Sequence, residues 1–207
     1  QAVSEAIIES KRVFVVGHKE MDFDCMGAAL CMSRMAAAYG KEVYVVSKSG
    51  GIESQLKEAF DSFYDDLNGR HRFLEDGEAS RMIKDEDLLI VVDHNNPNQT
   101  GAPLTLDNAN RIIVIDHHRR SEDFVGNPIL VYVETSASST CELAAEFLPY
   151  QTNTVQLSEI EATFMYLGIL VDTNRFRQRT GSRTFEAAAY LKNHGVDPLK
   201  AENMLKE

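Results

Sequence analysis

Three short stretches carry carboxylates and imidazoles at close spacing. They are His18, Asp22 and Asp24 in GHKEMDFD, Asp93 and His94 in VVDHN, and Asp116, His117 and His118 in VIDHHRR. Carboxylates brought together repel one another and cannot all stay ionised cheaply. Divalent cations relieve that repulsion. Oxygen ligands alone favour Mg²⁺ or Ca²⁺, and added imidazole shifts the preference toward Mn, Fe, Co or Zn. A lone DxD or one histidine at a strand end is an ordinary loop feature; three such stretches, each directly after an apolar run, point to a metal centre. The chain has 32 Asp+Glu against 21 Lys+Arg and a formal net charge of -11, so it offers no basic face for duplex nucleic acid. A polyanionic substrate would be met by the bound cations instead.

Such residues need a frame that delivers them to one place. The apolar runs Arg12 to Gly17, Glu42 to Ser47, Leu88 to Asp93, Arg111 to Asp116 and Ile129 to Val133 read as strands, several of them buried on both faces. Between the first two, Asp24 to Tyr39 reads as a helix that stops at Gly40. Ser139 with Glu142, and Ser158 with Glu161, fit capping boxes that open helices running to Phe147 and Val171. Two more helices, about Thr184 to Asn193 and Asp197 to Lys206, close the chain. This alternation predicts an α/β fold, a mostly parallel sheet flanked by helices on both faces. Ligands then bind at the carboxyl ends of the strands, where the three stretches lie. The segment from Gly51 to Lys84 is polar and irregular, with a short apolar patch near Phe73, and receives no element.

The remaining candidates read as structural. His71 and His194 follow no strand and are expected at the surface or at helix ends. Met26, Met32 and Met35 are expected as core filler. Cys25, Cys31 and Cys141 are odd in number without CxxC spacing, which suggests neither a disulfide framework nor a thiolate zinc site and suits a reducing, cytosolic setting. Cys25 is expected as a small buried residue. The run SASSTCE reads as a helix cap, or as hydroxyls and N–H groups able to hold a phosphate. No apolar run approaches the roughly 18 residues of a membrane span, and the first residues lack a signal-peptide layout. The length of 207 residues suits one large domain or two small ones. The missing initial Met and the ending MLKE predict a piece of a longer protein.

Asp116-His117-His118, taken with HKEMDFD and VVDHN, resembles the DHH phosphoesterase superfamily over nearly the whole chain. The stretches DHHRRSEDF, ETSASSTCELAAEF and RTGSRTFEAAAYL are most similar to the GdpP-type cyclic di-AMP phosphodiesterases of bacteria. The resemblance implies that residues 1–207 form one DHH catalytic, metal-binding domain. It adds a fourth acidic motif, GILVDTN, and with it Asp172. It places one divalent ion on His18, Asp22 and Asp93 and a second on Asp24, Asp93, His117 and Asp172, with Asp93 bridging and Mn²⁺ as the expected metal. Asp116 would orient a histidine, and His118 would face the scissile phosphate, so that Asp116, His117 and His118 form the catalytic set. Arg119, Arg179 and Arg183, with Arg120, stand as phosphate contacts or as surface salt bridges.

The implied reaction is two-metal hydrolysis of cyclic di-AMP to pApA. The implied parent is a membrane-tethered protein working in the cytoplasm, carrying upstream membrane helices, a PAS sensor and a degenerate GGDEF domain. The domain itself would make no direct membrane contact, and a homodimer is compatible with it. The DHH-associated substrate-binding domain with its GGGH-type motif is absent, since Gly50-Gly51 precedes Ile and lies far upstream. The piece is therefore expected to bind metal with weak or no activity. A nanoRNA or pAp phosphatase is the nearest alternative. A receiver-like acidic signalling module needs one Mg²⁺ and no histidine pair, so His18, His117 and His118 argue against it. A dinucleotide-binding fold lacks its GxGxxG.

Overall fold

The structure is a computed structural model and describes residues 2–47 and 51–205. Gly50, and Lys206 at the expected end of the last helix, lie outside the described residues. In chain order the elements are α1 (Ala2–Glu9), β1 (Arg12–Val16), α2 (Phe23–Ala38), β2 (Glu42–Ser47), α3 (Ser54–Ser62), α4 (Tyr64–Arg70), β3 (Phe73–Glu75) and α5 (Asp76–Met82). Then follow β4 (Leu88–Val92), α6 (Pro103–Asn108), β5 (Arg111–Asp116), β6 (Leu130–Val133), α7 (Thr140–Phe147), α8 (Glu159–Asp172), α9 (Ser182–Lys192) and α10 (Pro198–Asn203).

The six strands form one sheet in the order β3-β2-β1-β4-β5-β6, and every pairing is parallel. Alternate strand residues bury opposite faces. Val13, Val15, Ile90, Val92, Ile113 and Ile115 join α2, α7 and α8 in the larger core, and Phe14, Val16, Leu89, Val91 and Val114 face Ala79, Ile83 and Ala102 on the other side. Helix α2 is apolar around nearly its whole circumference because it is enclosed between the sheet and the helices α7 and α8. Met26, Met32 and Met35 are buried in it as expected. Its approach to α8 is close because each helix offers a glycine. A β-carbon on Gly27 would lie 2.9 Å from Met165 Cα, and one on Gly168 would lie 2.7 Å from Asp24 Cα.

The region expected to be irregular holds α3, α4, β3 and α5. Its apolar residues are few but spaced to bury one face: Leu56, Ala59 and Phe60 in α3, and Leu67 in α4. His71 ends α4 as its C-cap, a helix end as expected, but it is not at the surface. It is buried between Ser33, whose Oγ lies 2.7 Å from Nδ1, and Glu161, which is 2.5 Å from Nε2 and also receives Arg70. His194 does sit at a helix end, with Nδ1 donating to Tyr190 O. The capping box of Ser158 and Glu161 forms as expected. Among the described residues no helix is long and apolar enough to cross a membrane.

Candidate metal centre

From β1 the chain continues to β2 and β3 on one side of the sheet, and from β4 to β5 and β6 on the other. The crevice at the carboxyl ends of β1 and β4 is therefore the switch point where ligands of open α/β sheets bind. His18 follows β1, Asp93 follows β4, and His18 Nε2 stands 3.2 Å from Asp93 Oδ2. Asp93 turns off its strand with φ 62, a left-handed conformation that Asp tolerates better than most residues. Its N–H donates to Ile115 O at 3.0 Å, which anchors the turn to β5. Asp22 caps α2 by accepting the Cys25 N–H, and its Oδ1 is 3.7 Å from His18 Nε2. Asp24 lies in the first turn of α2, fully buried. Asp116, His117 and His118 leave the end of β5, and Asp172 is the last residue of α8.

These groups converge. His117 Nε2 is buried without a hydrogen-bond partner, although Asp172 Oδ2, Asp93 Oδ1 and Asp24 Oδ2 stand 3.2, 3.4 and 3.5 Å away. A buried nitrogen without a partner costs free energy. An imidazole nitrogen and several carboxylate oxygens gathered this closely are what a divalent cation requires of its ligands. Donor atoms of Asp24, His117 and Asp172 lie within 4.8 Å of one another, as do those of Asp93, His117 and His118 and those of His18, Cys25 and Asp93. The donor set fits divalent cations. Cys25 is buried as expected, and its Sγ also meets this cluster.

The electrostatics carry the same signature. Burial, with the charges of Asp93, Asp172 and Asp22, pushes the Asp24 carboxyl well above the usual range. For His117, burial opposes the charge, but Asp172 and Asp93 outweigh it and push the imidazole up to about 10. His18 is raised too, with Cys25, Asp22 and Asp93 overcoming its burial. His94 differs: its Nδ1 donates to Val92 O at 2.8 Å, its Nε2 has no partner, and burial pushes it down to about 4.

Around the cluster, polar contacts lock the ligands. Asp116 Oδ1 accepts from the N–H groups of His117 and His118 and from His118 Nδ1 at 2.6 Å, which raises the His118 imidazole. Asn95 Nδ2 donates to Asp116 Oδ2, and Asn95 Oδ1 accepts from Ser121 N. The helix start in SASSTCE is capped by Ser139, as expected, but its free N–H groups do not await a phosphate. Those of Thr140 and Cys141 donate to Asp24 at 3.0 and 2.8 Å, and Thr140 Oγ1 donates to Asp93. Asn95 and Thr140 escaped sequence reasoning, because a lone amide and a helix-start hydroxyl look like ordinary turn and cap residues.

The crevice forms a cavity of about 710 Å³ lined by His18, Lys19, Asp22, Asp93, His94, Asn95, His118, Arg119 and Asp172, among others. A second hollow of about 730 Å³, lined by Phe63, Ile160, Phe164 and Met204, shares no lining residue with it and holds none of these ligands. Of the expected phosphate contacts, Arg119 lines the crevice and Arg179 Nη2 comes to 3.5 Å from Asp172 O. Arg120 lies over the Phe124 ring. Arg183 is not brought to the cluster: its guanidinium is forked between Glu134 and Glu146 at 2.6 to 2.9 Å.

Comparison with known proteins fits this geometry. The family described as DHH family, N-terminal domain, matches residues 12–169. The cyclic-di-AMP phosphodiesterase PdeA of Listeria monocytogenes serotype 1/2a is 41% identical over 207 residues, covering 100% of this chain and 32% of the relative. The cyclic-di-AMP phosphodiesterase GdpP of Bacillus subtilis is 39% identical over 208 residues, covering 100% of this chain and 31% of the relative. The chain thus spans about a third of the length of these relatives. Among solved structures, an exopolyphosphatase-related protein from Bacteroides fragilis matches with a TM-score of 0.77 at 19% identity, covering 99% of this chain and 58% of that one, a likeness of fold.

Proposed function

Since the chain belongs to the DHH family, we propose that it is the metal-binding half of a phosphodiesterase that hydrolyses cyclic di-AMP to pApA. The observation that carries this reading is the partnerless, buried His117 Nε2 among Asp24, Asp93 and Asp172. One cation would be held by His18, Asp22 and Asp93 and the other by Asp24, Asp93, His117 and Asp172, and Mn²⁺ would suit this mixture of oxygen and imidazole. When bound, the cations supply positive charge that polarises a water and the phosphoryl oxygens.

The protein's own groups do the rest. Asp93 faces both ion positions, since Oδ1 turns to His117 and Oδ2 to His18. Asp116 accepts a hydrogen bond from His118 Nδ1, which fixes the ring and favours its protonated form, so that the Nε2–H can meet the scissile phosphate as hydrogen-bond donor or general acid. Arg119 lines the crevice and Arg179 reaches the main chain of Asp172, so both can meet non-bridging oxygens. Arg183 holds the fold instead. The likeness to PdeA and GdpP over the whole chain supports a cyclic dinucleotide over pAp. In the parent protein this domain works in the cytoplasm beside a DHH-associated domain that grips the nucleotide, and upstream helices tether it to the membrane.

The test uses the longer protein with Mn²⁺ and cyclic di-AMP, pApA or pAp as substrate. Conversion of cyclic di-AMP to pApA is expected. Turnover of pAp or short RNA without turnover of the cyclic dinucleotide would overturn the reading.

A further inference from the structure

Thr140 touches two of the three carboxylates that face His117, Asp24 and Asp93, by two different groups. Its N–H donates to Asp24 Oδ2 at 3.0 Å and its hydroxyl donates to Asp93 Oδ1 at 2.9 Å. The residue is fully buried. The hydroxyl is not needed to cap α7, because Ser139 Oγ already accepts the Glu142 N–H. Nor is Asp93 placed by its backbone alone. Its left-handed φ and its bond to Ile115 O set the main chain, but the terminal torsion of an aspartate is broad and nearly two-fold. Something must choose which way the carboxylate plane faces.

We propose that Thr140 is the positioning residue of the metal centre: it selects the carboxylate rotation of Asp93 and sets the separation of Asp93 from Asp24. The inference rests on the metal-binding reading above. An ionised carboxylate only accepts, so the hydroxyl proton lies on the Asp93 side. With Oδ1 held by Thr140, Oδ2 points to His18, and one acid serves both ion positions. The Asp24 side is held by main chain, through Thr140 and Cys141, and survives any side-chain change there. Loss of the hydroxyl therefore frees one acid and leaves the other in place. Partners that orient metal ligands in this way are typically worth about 10- to 100-fold in metal affinity.

The experiment is Mn²⁺ titration calorimetry on residues 1–207 and on the longer protein, with wild type, Thr140→Val and Thr140→Ser, accompanied by melting in chelator and by the visible spectrum of the Co²⁺-loaded forms. Thr140→Val should bind Mn²⁺ about 10- to 100-fold more weakly and alter the Co²⁺ spectrum. Thr140→Ser, which keeps the hydroxyl, should restore both. Wild-type affinity and an unchanged spectrum in Thr140→Val, or failure of Thr140→Ser to rescue, would overturn the inference even if melting fell, since a residue that only packs would lower melting in chelator and leave the spectrum alone. If wild type in both lengths bound no stoichiometric ion, the metal reading would fall and this inference with it.

Discussion

Gly168 of α8 lies against the backbone of Asp24 in α2, so close that a β-carbon there would come within 2.7 Å of Asp24 Cα and 3.0 Å of Cys141 Sγ. The contact with Asp24 is backbone on backbone, so no side-chain rotation can relieve it. Gly168→Ala should therefore force α2 and α8 apart, costing about 1–3 kcal/mol by overpacking and displacing Asp24 from Asp172. Urea unfolding and Mn²⁺ titration read both effects. Unchanged stability together with unchanged affinity would contradict this packing.

Among the described residues, Asp93 is the one carboxylate within reach of both His18 and His117. Asp93→Ala should abolish stoichiometric binding of two ions, whereas wild type at about 100 times its dissociation constant should gain about 2.7 kcal/mol of stability. Thermal melting with Mn²⁺ or chelator checks this. A variant that still took up two tightly held ions would remove Asp93 from the bridging position.

Asp116 meets His118 rather than the crevice. Asp116→Asn should leave ion stoichiometry intact and lower turnover in the longer protein by about 100-fold, the lower end of what positioned acid–base groups contribute. Full turnover in this variant would mean that His118 needs no orienting partner.

Away from the crevice, Glu161 is buried against His71 and Arg70. Burial alone would raise its carboxyl, but His71 and Arg70 outweigh it and hold the group at about 2. The depressed value means that its stabilisation is complete above about pH 5 and is lost as pH falls toward 2. Glu161→Gln should cost about 3 kcal/mol at neutral pH and flatten the stability profile between those limits. Denaturant midpoints across that range test it, and parallel profiles would count against the assignment.

Arg183, forked between Glu134 and Glu146, should behave as a structural residue. Arg183→Met is expected to lower stability by about 1 kcal/mol at most and to leave KM for cyclic di-AMP unchanged in the longer protein. A rise in KM without loss of stability would return Arg183 to the substrate contacts.

Much of this centre was legible because the strands are buried on both faces. RVFVVG, LLIVVD and RIIVID read as unbroken apolar runs, and the first residues past each run are the ones the crevice uses. Asp172 was different. It ends a helix, α8, whose apolar sequence says nothing about a ligand, and only the likeness of GILVDTN to a family motif picked it out. Thr140, Asn95 and His71 stayed hidden for a shared reason. Their partners Asp24, Asp116 and Glu161 lie 116, 21 and 90 residues away, so nothing near them in sequence marks their burial. Strand β3 was missed because three residues, FLE, are too few to show a period.

The strand order has a kinetic consequence. His18 meets Asp93 across 75 residues and Asp24 meets Thr140 across 116, so no partly folded segment can assemble the cluster from local contacts. Parallel pairing at such separation is slow, since chain entropy is lost before the contacts repay it. During synthesis the first carboxylates emerge long before α7 and α8, and they remain hydrated until those helices dock. Cation uptake then belongs to the closing step of folding, and its rate reports completion of the whole domain.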